Sequence, residues 1–295
     1  MVTSFGEILK IGINRLEAEN NPDARLDAEL LLLHAVGEPR SFLYVHRNDA
    51  CDDYTADHYF NMIDRRAEGE PLQYITGSQE FMGLDFEVNE SVLIPRQDTE
   101  TLVEYALARA ATMKNSISIM DMCCGSGAIA VSMAKNLPKA KVTACDISED
   151  ALQVAQRNAS KNGVEKRVSF EQTNMFTRIK RGREAPLKGR FDMILSNPPY
   201  IPSGDIPGLQ REIAEHEPMK ALDGGDDGLD FYRILAEHSW EHMSKKGLLI
   251  MEIGFDQADA VKALLDEAGY YENIEIHKDL AGKDRVVSCS LTGKK

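Results

Sequence analysis

The chain has no long apolar run. The leucine stretch Leu30 to Leu33 stops at His34, and nothing approaches the ~18 residues that a membrane span requires. The amino end, Met1 to Lys10, carries Glu7 and lacks the basic segment, apolar stretch and small-residue cleavage site of a secretory signal. Cysteine is scarce: Cys51, Cys123, Cys124, Cys145 and Cys289 are odd in number and form no Cys-x-x-Cys pair. That excludes a disulfide framework and a zinc site, and points to free thiols in a reducing, cytoplasmic setting. Positive charge is also short. Lys and Arg total 34 against 48 Asp and Glu, a net charge of −14. A duplex-binding surface needs basic residues to neutralise phosphate, so the balance argues against nucleic acid as the substrate.

What is present is ordinary for a folded chain. At 295 residues, with 43% hydrophobic and 28% charged residues, the length suits one large or two ordinary domains. The first seventy residues read as helices. Ile8, Ile11 and Leu16 begin one apolar stripe, and Leu26, Leu30, Leu33 and Val36 a second; Tyr54 to Glu68 gives another helix. His34, His46 and His58 recur at no ligand spacing and read as surface or packing residues. Between Ser78 and Asn89, Leu84, Phe86 and Val88 alternate with polar residues, and Gly77 and Gly83 supply turns, predicting a linking β-hairpin. This gives a helical domain over 1–70, a link over 71–96 and a third region over 97–295.

From residue 97 the pattern becomes α/β. Strands are predicted at Ser116–Met120, Lys141–Cys145, Val168–Glu171, Phe191–Ser196 and Gly247–Ile253. Helices are predicted at Ala128–Asn136, Glu149–Lys161, Leu229–Met243 and Asp256–Ala268. Such alternation gives a parallel sheet covered on both faces. Two last strands, Ile274–His277 and Val286–Leu291, have no room for a crossover helix and must pair antiparallel. A Rossmann-like sheet with a terminal antiparallel hairpin resembles the class I methyltransferases.

The first strand runs into Asp121-Met-Cys-Cys-Gly125-Ser-Gly127-Ala. Glycines between a strand and a helix let backbone approach a ligand beside the helix amides. The spacing alone also fits a dinucleotide site, and Asp146, nineteen residues past Gly127, suits the ribose of NAD or S-adenosylmethionine equally. Two residues favour the second. Asp121 suits the ammonium or sulfonium end of S-adenosylmethionine and would repel a pyrophosphate. Asn174, after the third strand, stands where methyltransferases place an adenine-binding Asp or Asn. Cys123 replaces the usual first glycine, so the turn should differ or relax slightly.

Asn197-Pro198-Pro199-Tyr200 follows the fourth strand, at the edge where open α/β sheets bind ligands. An sp² nitrogen is a poor nucleophile; acceptors on its N–H groups raise its electron density and aim it. The Asn197 side-chain oxygen and the Pro198 carbonyl can supply them. The prolines stiffen the loop, and Tyr200 offers an aromatic wall. A dehydrogenase would leave this tetrapeptide unexplained.

The longer stretch PLQYITGSQEFMGLDFEVNESVLIPRQDTETLV (71–103) resembles the release factor glutamine methyltransferases, with Gln97-Asp98 in place of the commoner Pro-Glu. DARLDAELLLL (23–33), Glu217-Pro218 and ALDGGDDGL (221–229) extend the likeness along the chain. The resemblance implies transfer from S-adenosylmethionine to the glutamine amide of the Gly-Gly-Gln loop of peptide chain release factors, in translation termination. A glutamine of a large-subunit ribosomal protein is the alternative substrate, and DNA adenine falls behind. It further implies cofactor contacts from Asp121, Cys123, Cys124, Gly125, Ser126, Gly127, Asp146, Asn174, Met175 and Asn197. Catalysis would fall to Asn197, Pro198 and Tyr200, substrate contact to these and Pro199, and no metal is implied.

Three other features carry blander expectations. The carboxylates of Asp223 to Asp230 lack calcium-loop order and read as a solvated loop. Arg178, Lys180, Arg181, Arg183, Lys188 and Arg190 read as a solvated basic loop. Trp240, the single tryptophan, reads as helical core.

Overall fold

The computed structural model describes residues 3–113 and 116–292. Packing divides it into two units, the first holding the residues up to Gly77 and a later segment, Gln210–His216. Five helices open the first unit: α1 (Phe5–Ala18), α2 (Ala24–Val36), α3 (Phe42–His46), α4 (Asp53–Ala67) and α5 (Leu72–Thr76). Ser4 and Glu7 form a reciprocal capping box on α1, and Asp52 caps α4 through the Thr55 amide. The inner face of α1 is Phe5, Ile8, Leu9, Gly12 and Leu16. A Cβ on Gly12 would overlap the Tyr59 Oη, so glycine is what lets α1 and α4 approach.

The apolar stripes lie partly elsewhere than the sequence pattern predicts. Ile11 is 51% exposed and Leu26 42% exposed. On α2 the buried positions are Ala24, Asp27, Ala28, Leu31, Leu32 and Leu33. Four consecutive leucines cannot fix a helix's inner face; the small Ala24 and Ala28 do. So does Asp27, which accepts from Arg66 Nε at 2.7 Å and Asn21 Nδ2 at 2.9 Å. Arg66 also pairs at 2.8 Å with Glu212, in the returning segment. His46 pairs with Asp49 at 2.7 Å and His58 stacks on Tyr54, in keeping with surface roles.

The second unit begins with the hairpin β1 (Ser78–Phe81) and β2 (Leu84–Glu87), then α6 (Glu100–Ala110), β3 (Ser118–Met122) and α7 (Ala128–Asn136). Next come β4 (Lys141–Asp146), α8 (Glu149–Lys161), β5 (Val168–Asn174), β6 (Thr177–Lys180), β7 (Arg183–Pro186) and β8 (Phe191–Ser196). Helix α9 (Arg211–His216) belongs to the first unit; α10 (Met219–Leu222), α11 (Asp230–His242), β9 (Met243–Glu252), α12 (Ala258–Ala268), β10 (Tyr271–Lys278) and β11 (Asp284–Leu291) complete the second. Met82 and Gly83 both take positive φ at the hairpin tip, the geometry that matches a two-residue turn to strand twist.

Nine strands form one sheet in the order β10-β11-β9-β8-β3-β4-β5-β6-β7. Strands β9, β8, β3, β4 and β5 are parallel, and β11 joins β9 antiparallel with β10 outside it, as expected. Alternate residues feed two cores: Leu248 and Ile250 face one, Leu249 and Met251 the other. Strand β3 begins at Ser118, later than the expected Ser116. The basic stretch is a loop only in part: β5, β6 and β7 pair antiparallel as an edge ribbon whose strands carry Arg178, Lys180 and Arg183, while Lys188 and Arg190 lie outside the strands. Trp240 is not fully in the core either; it is half-buried and stacks on Tyr270 with centroids 4.5 Å apart. The chain reverses direction across the sheet between β4 and β8, on either side of β3, and ligands bind in the crevice at such a switch point.

Candidate active site

At that crevice β3 ends in a turn of unusual backbone. Cys123, Gly125 and Gly127 all have positive φ, at 63°, 51° and 78°. The expected relaxation at Cys123 does not occur: cysteine itself takes the left-handed conformation that glycine would occupy without strain. A Cβ on Gly127 would sit 3.0 Å from the Ala155 Cβ, so glycine lets the turn pack against α8. Burial, reinforced by Asp146 and Asp121, pushes the Cys123 and Cys124 thiols well up. They remain neutral and line the turn rather than act as nucleophiles.

Asp146 at the end of β4 braces this turn. One carboxylate oxygen accepts from Gly125 N at 2.8 Å and the other from Ser148 N at 2.9 Å. Burial raises its pKa against these bonds. Each oxygen keeps lone pairs for a diol. Asp121 is placed differently. It is fully buried, its Oδ2 accepts from Ala130 N at 2.9 Å, and burial, with the nearby Asp146 charge, pushes its pKa to about 8. Its carboxyl faces the first turn of α7 rather than the crevice, holding a helix amide that has no partner within α7.

A cavity of about 530 Å³ opens here. Of the sequence-derived residues, Cys123, Cys124, Gly125, Ser126, Asp146, Asn174, Met175, Asn197 and Pro199 line it; Asp121, Gly127, Pro198 and Tyr200 do not. The cavity matches a nucleoside with an amino-acid tail in size. Ile129, Ile147 and Met175 give it apolar walls, and Asp146 places a carboxylate on its lining. The residues present therefore fit S-adenosylmethionine.

The Asn197 carboxamide is oriented. Its Nδ2 donates to Thr99 Oγ1 at 3.2 Å, which leaves its oxygen as the free end. Tyr200 does not wall the cavity as expected. Its hydroxyl donates towards buried Glu252 at 3.4 Å, and its carbonyl accepts from Gln257 Nε2 at 2.9 Å. The expected solvated acidic loop packs beneath it. A Cβ on Gly228 would overlap the Tyr200 carbonyl oxygen, and one on Gly224 would lie 2.7 Å from the Tyr200 Cα. Asp223 accepts from Ser203 Oγ at 2.6 Å and Asp227 pairs with Arg233. Among the described residues no cluster of His, Cys, Asp and Glu could hold a metal.

Sequence reasoning gave no role to Arg96, Thr99, Pro218, Met219 or Phe231, all of which line the cavity. The signal was the Pro95-Arg-Gln-Asp-Thr-Glu100 segment, noted for its resemblance alone. Arg96 pairs with buried Glu217, tying this segment to the stretch that follows the Asn-Pro-Pro-Tyr loop.

A switch-point cavity with the Asp146 carboxylate on one side and Asn-Pro-Pro-Tyr on the other defines an S-adenosylmethionine-dependent methyltransferase. The fold agrees: a methyltransferase crystal structure from Pyrococcus furiosus superposes with TM-score 0.51 over 79% of this chain and 98% of that one, at 20% identity. Residues 7–77 match the PrmC N-terminal domain model and residues 99–216 the methyltransferase small domain model. The release factor glutamine methyltransferase of Moorella thermoacetica is 46% identical, covering 92% of this chain and 93% of its own. That of Geobacter sulfurreducens is 43% identical over 90% and 89%. The chain belongs to the release factor glutamine methyltransferase family.

Proposed function

We propose that this chain methylates the side-chain amide nitrogen of the glutamine in the Gly-Gly-Gln motif of peptide chain release factors. The observation that carries the reading is the Asn197 carboxamide, anchored through its nitrogen on Thr99 with its oxygen free at the cavity shared with Asp146. That oxygen accepts one N–H of the glutamine amide, and the Pro198 carbonyl accepts the other. The pair holds the nitrogen in line for attack and raises its electron density. S-adenosylmethionine, when bound, supplies an activated methyl group, so no ionised base is needed at the start. Asp146 takes the ribose hydroxyls, Asn174 the adenine edge, and Met175 with Cys123 to Ser126 the faces between. Asp121 acts at one remove, by pinning α7 behind the turn.

The helical unit supplies protein recognition in this reading, since a pocket for one side chain is smaller than a specific protein interface. Tyr44 and Tyr54, 86% and 82% exposed, are suitable contacts. No helix among the described residues is long and apolar enough to cross a membrane. A translation factor as substrate places the enzyme in the cytoplasm, and the net charge of −14 fits a protein rather than DNA as its partner. The test is incubation with labelled S-adenosylmethionine and a purified release factor, followed by mass mapping. Label on the Gly-Gly-Gln glutamine is expected; label confined to a ribosomal protein, or to another residue, would refute the assignment.

A further inference from the structure

We propose that Arg285, acting through Asp98, fixes the position of Thr99 and so of the Asn197 carboxamide. This inference rests on the reaction read above, in which the Asn197 oxygen must meet a substrate N–H. The Asn197 nitrogen is moored on Thr99 Oγ1 at 3.2 Å, and Thr99 ends a single 3-10 turn, Gln97–Thr99, that leads into α6. One such turn is a weak anchor by itself. Its place must come from what its neighbours grip.

Alternate residues of this segment are tied to three different elements. Arg96 pairs with buried Glu217, and the Glu100 carboxylate accepts from the Met82 amide at 2.6 Å, at the tip of the β1–β2 hairpin. Between them, Asp98 pairs with Arg285 Nη2 at 3.0 Å. Strand register puts Arg285 where this tie is useful. Ser196 stands beside Met251 on β9, and Glu252, the next residue, stands beside Val286 on β11. Arg285 therefore lies at the carboxyl edge of the parallel strands, two strands from Asn197. Thr99, the residue after Asp98, is buried and lines the cavity.

Asp98 is not what neutralises this cation. Arg285 is 7% exposed, and Asp279, in the turn between β10 and β11, already accepts from its Nε and Nη2, each at 3.2 Å. Its Nη1 donates to the Ile253 carbonyl at 3.4 Å. Arg285 is thus held in place without Asp98. The Asp98 side chain is 53% exposed, and an ion pair open to water on one side contributes little to stability. What the second carboxylate gains is a fixed point, because the planar guanidinium is already set by its buried partners. Neither Asp98 nor Arg285 lines the cavity, so both are positioning residues.

The experiment uses full-length enzyme with S-adenosylmethionine and a release factor, and compares Asp98→Ala, Asp98→Asn, Asp98→Glu, Thr99→Val and the Asp98→Ala/Thr99→Val pair. Asp98→Ala should slow single-turnover transfer ~10-fold, with the cofactor Kd within ~2-fold of wild type, because orientation and not binding is lost. The urea midpoint should stay close to wild type, since Arg285 keeps Asp279. Asp98→Glu keeps the charge on a half-exposed side chain and should recover most of the rate; Asp98→Asn should not. Thr99→Val should be slow, and the double variant no slower than the slower single one, as for two parts of one tether. Substrate-free NMR of the Asn197 side-chain NH2 gives a second readout. Its signals, assigned by their loss in Asn197→Ala, should shift in Asp98→Ala and return in Asp98→Glu. A wild-type rate or unshifted signals in Asp98→Ala, an Asp98→Glu enzyme as slow as Asp98→Ala, or losses at Asp98 and Thr99 that multiply would overturn the proposal. Should Asp98→Ala fail to fold, Asp98→Asn, equal in shape to the wild type, decides by the same two readouts. If wild type leaves the release factor unmodified while the NMR pattern holds, the substrate reading fails and the tether stands.

Discussion

Asp146→Asn separates two jobs of one carboxylate. In the wild type each oxygen accepts a backbone N–H, from Gly125 at 2.8 Å and Ser148 at 2.9 Å. Asparagine keeps the shape but has one acceptor and one donor end, so its NH2 must face one of those two amides. That amide loses its partner, a cost of about 1–3 kcal/mol present with or without ligand. It should appear as lost stability in denaturant unfolding. The ribose hydroxyls lose one acceptor and the charge on the other, worth about 1.5–3 kcal/mol for a charged hydrogen bond. The Kd for S-adenosylmethionine should therefore rise roughly 10- to 150-fold by calorimetry. Removing the charge also relieves Asp121, which Asp146 helps to hold near pKa 8; its pKa should fall, though burial remains the larger cause. A folded Asp146→Asn enzyme with cofactor affinity within about 2-fold of wild type would refute the ribose assignment.

The remaining predictions test other parts of the site. Asn197→Ala should leave cofactor affinity nearly unchanged and slow transfer ~100-fold or more in single-turnover assays; Asn197→Asp should also be slow, since it puts an unpaired negative charge beside the substrate amide. Gly228→Ala, with φ at 73° and a Cβ that would overlap the Tyr200 carbonyl oxygen, should lower stability by more than about 1 kcal/mol and slow transfer, measured by unfolding and by rate. At position 123, where φ is 63°, glycine should be more stable than alanine by up to about 1 kcal/mol, the reverse of their order at an ordinary φ; alanine equal or better in urea melts would show the turn unstrained. Burial raises Glu252 from 4.5 to about 7, so the native state holds a proton that the unfolded chain releases, and stability from this group falls as pH rises between those values. Glu252→Gln should flatten that part of the stability–pH curve; an unchanged slope would show that Glu252 does not titrate there.

Much of the fold was legible because the local pattern and the tertiary demand coincide. Helices α7 and α8 and strand β8 fall at the expected residues, each bounded by a glycine, a cap or a sharp change of polarity. The terminal hairpin followed from the short connection between its two strands, which leaves no room for a crossover helix. The errors come where the pattern is degenerate. A run of four leucines on α2 offers several inner faces, and buried Asp27 with Arg66 decides among them through a residue thirty-nine positions away. The basic stretch from Arg178 to Arg190 has the composition of a loop, yet its first part, up to Pro186, pairs as a ribbon. An edge strand tolerates charge on both faces and so loses the alternation that would reveal it.

The site divides along the same line. Residues legible in sequence are those whose work is done by neighbours in the chain: glycines that permit the turn, Asp146 at a strand end, Asn197 before two prolines. What the sequence hid is direction. Asp121 and Tyr200 stand beside the cavity in sequence, yet one faces α7 and the other Glu252. Thr99 and Asn197 come from segments 98 residues apart, and no spacing rule joins them. Their tie is the hydrogen bond from Asn197 Nδ2 to Thr99 Oγ1 at 3.2 Å, which only folded geometry shows. A tetrapeptide that names the chemistry thus depends for its orientation on a residue outside it, which is why Asn-Pro-Pro-Tyr grafted onto another strand end should not by itself carry the reaction.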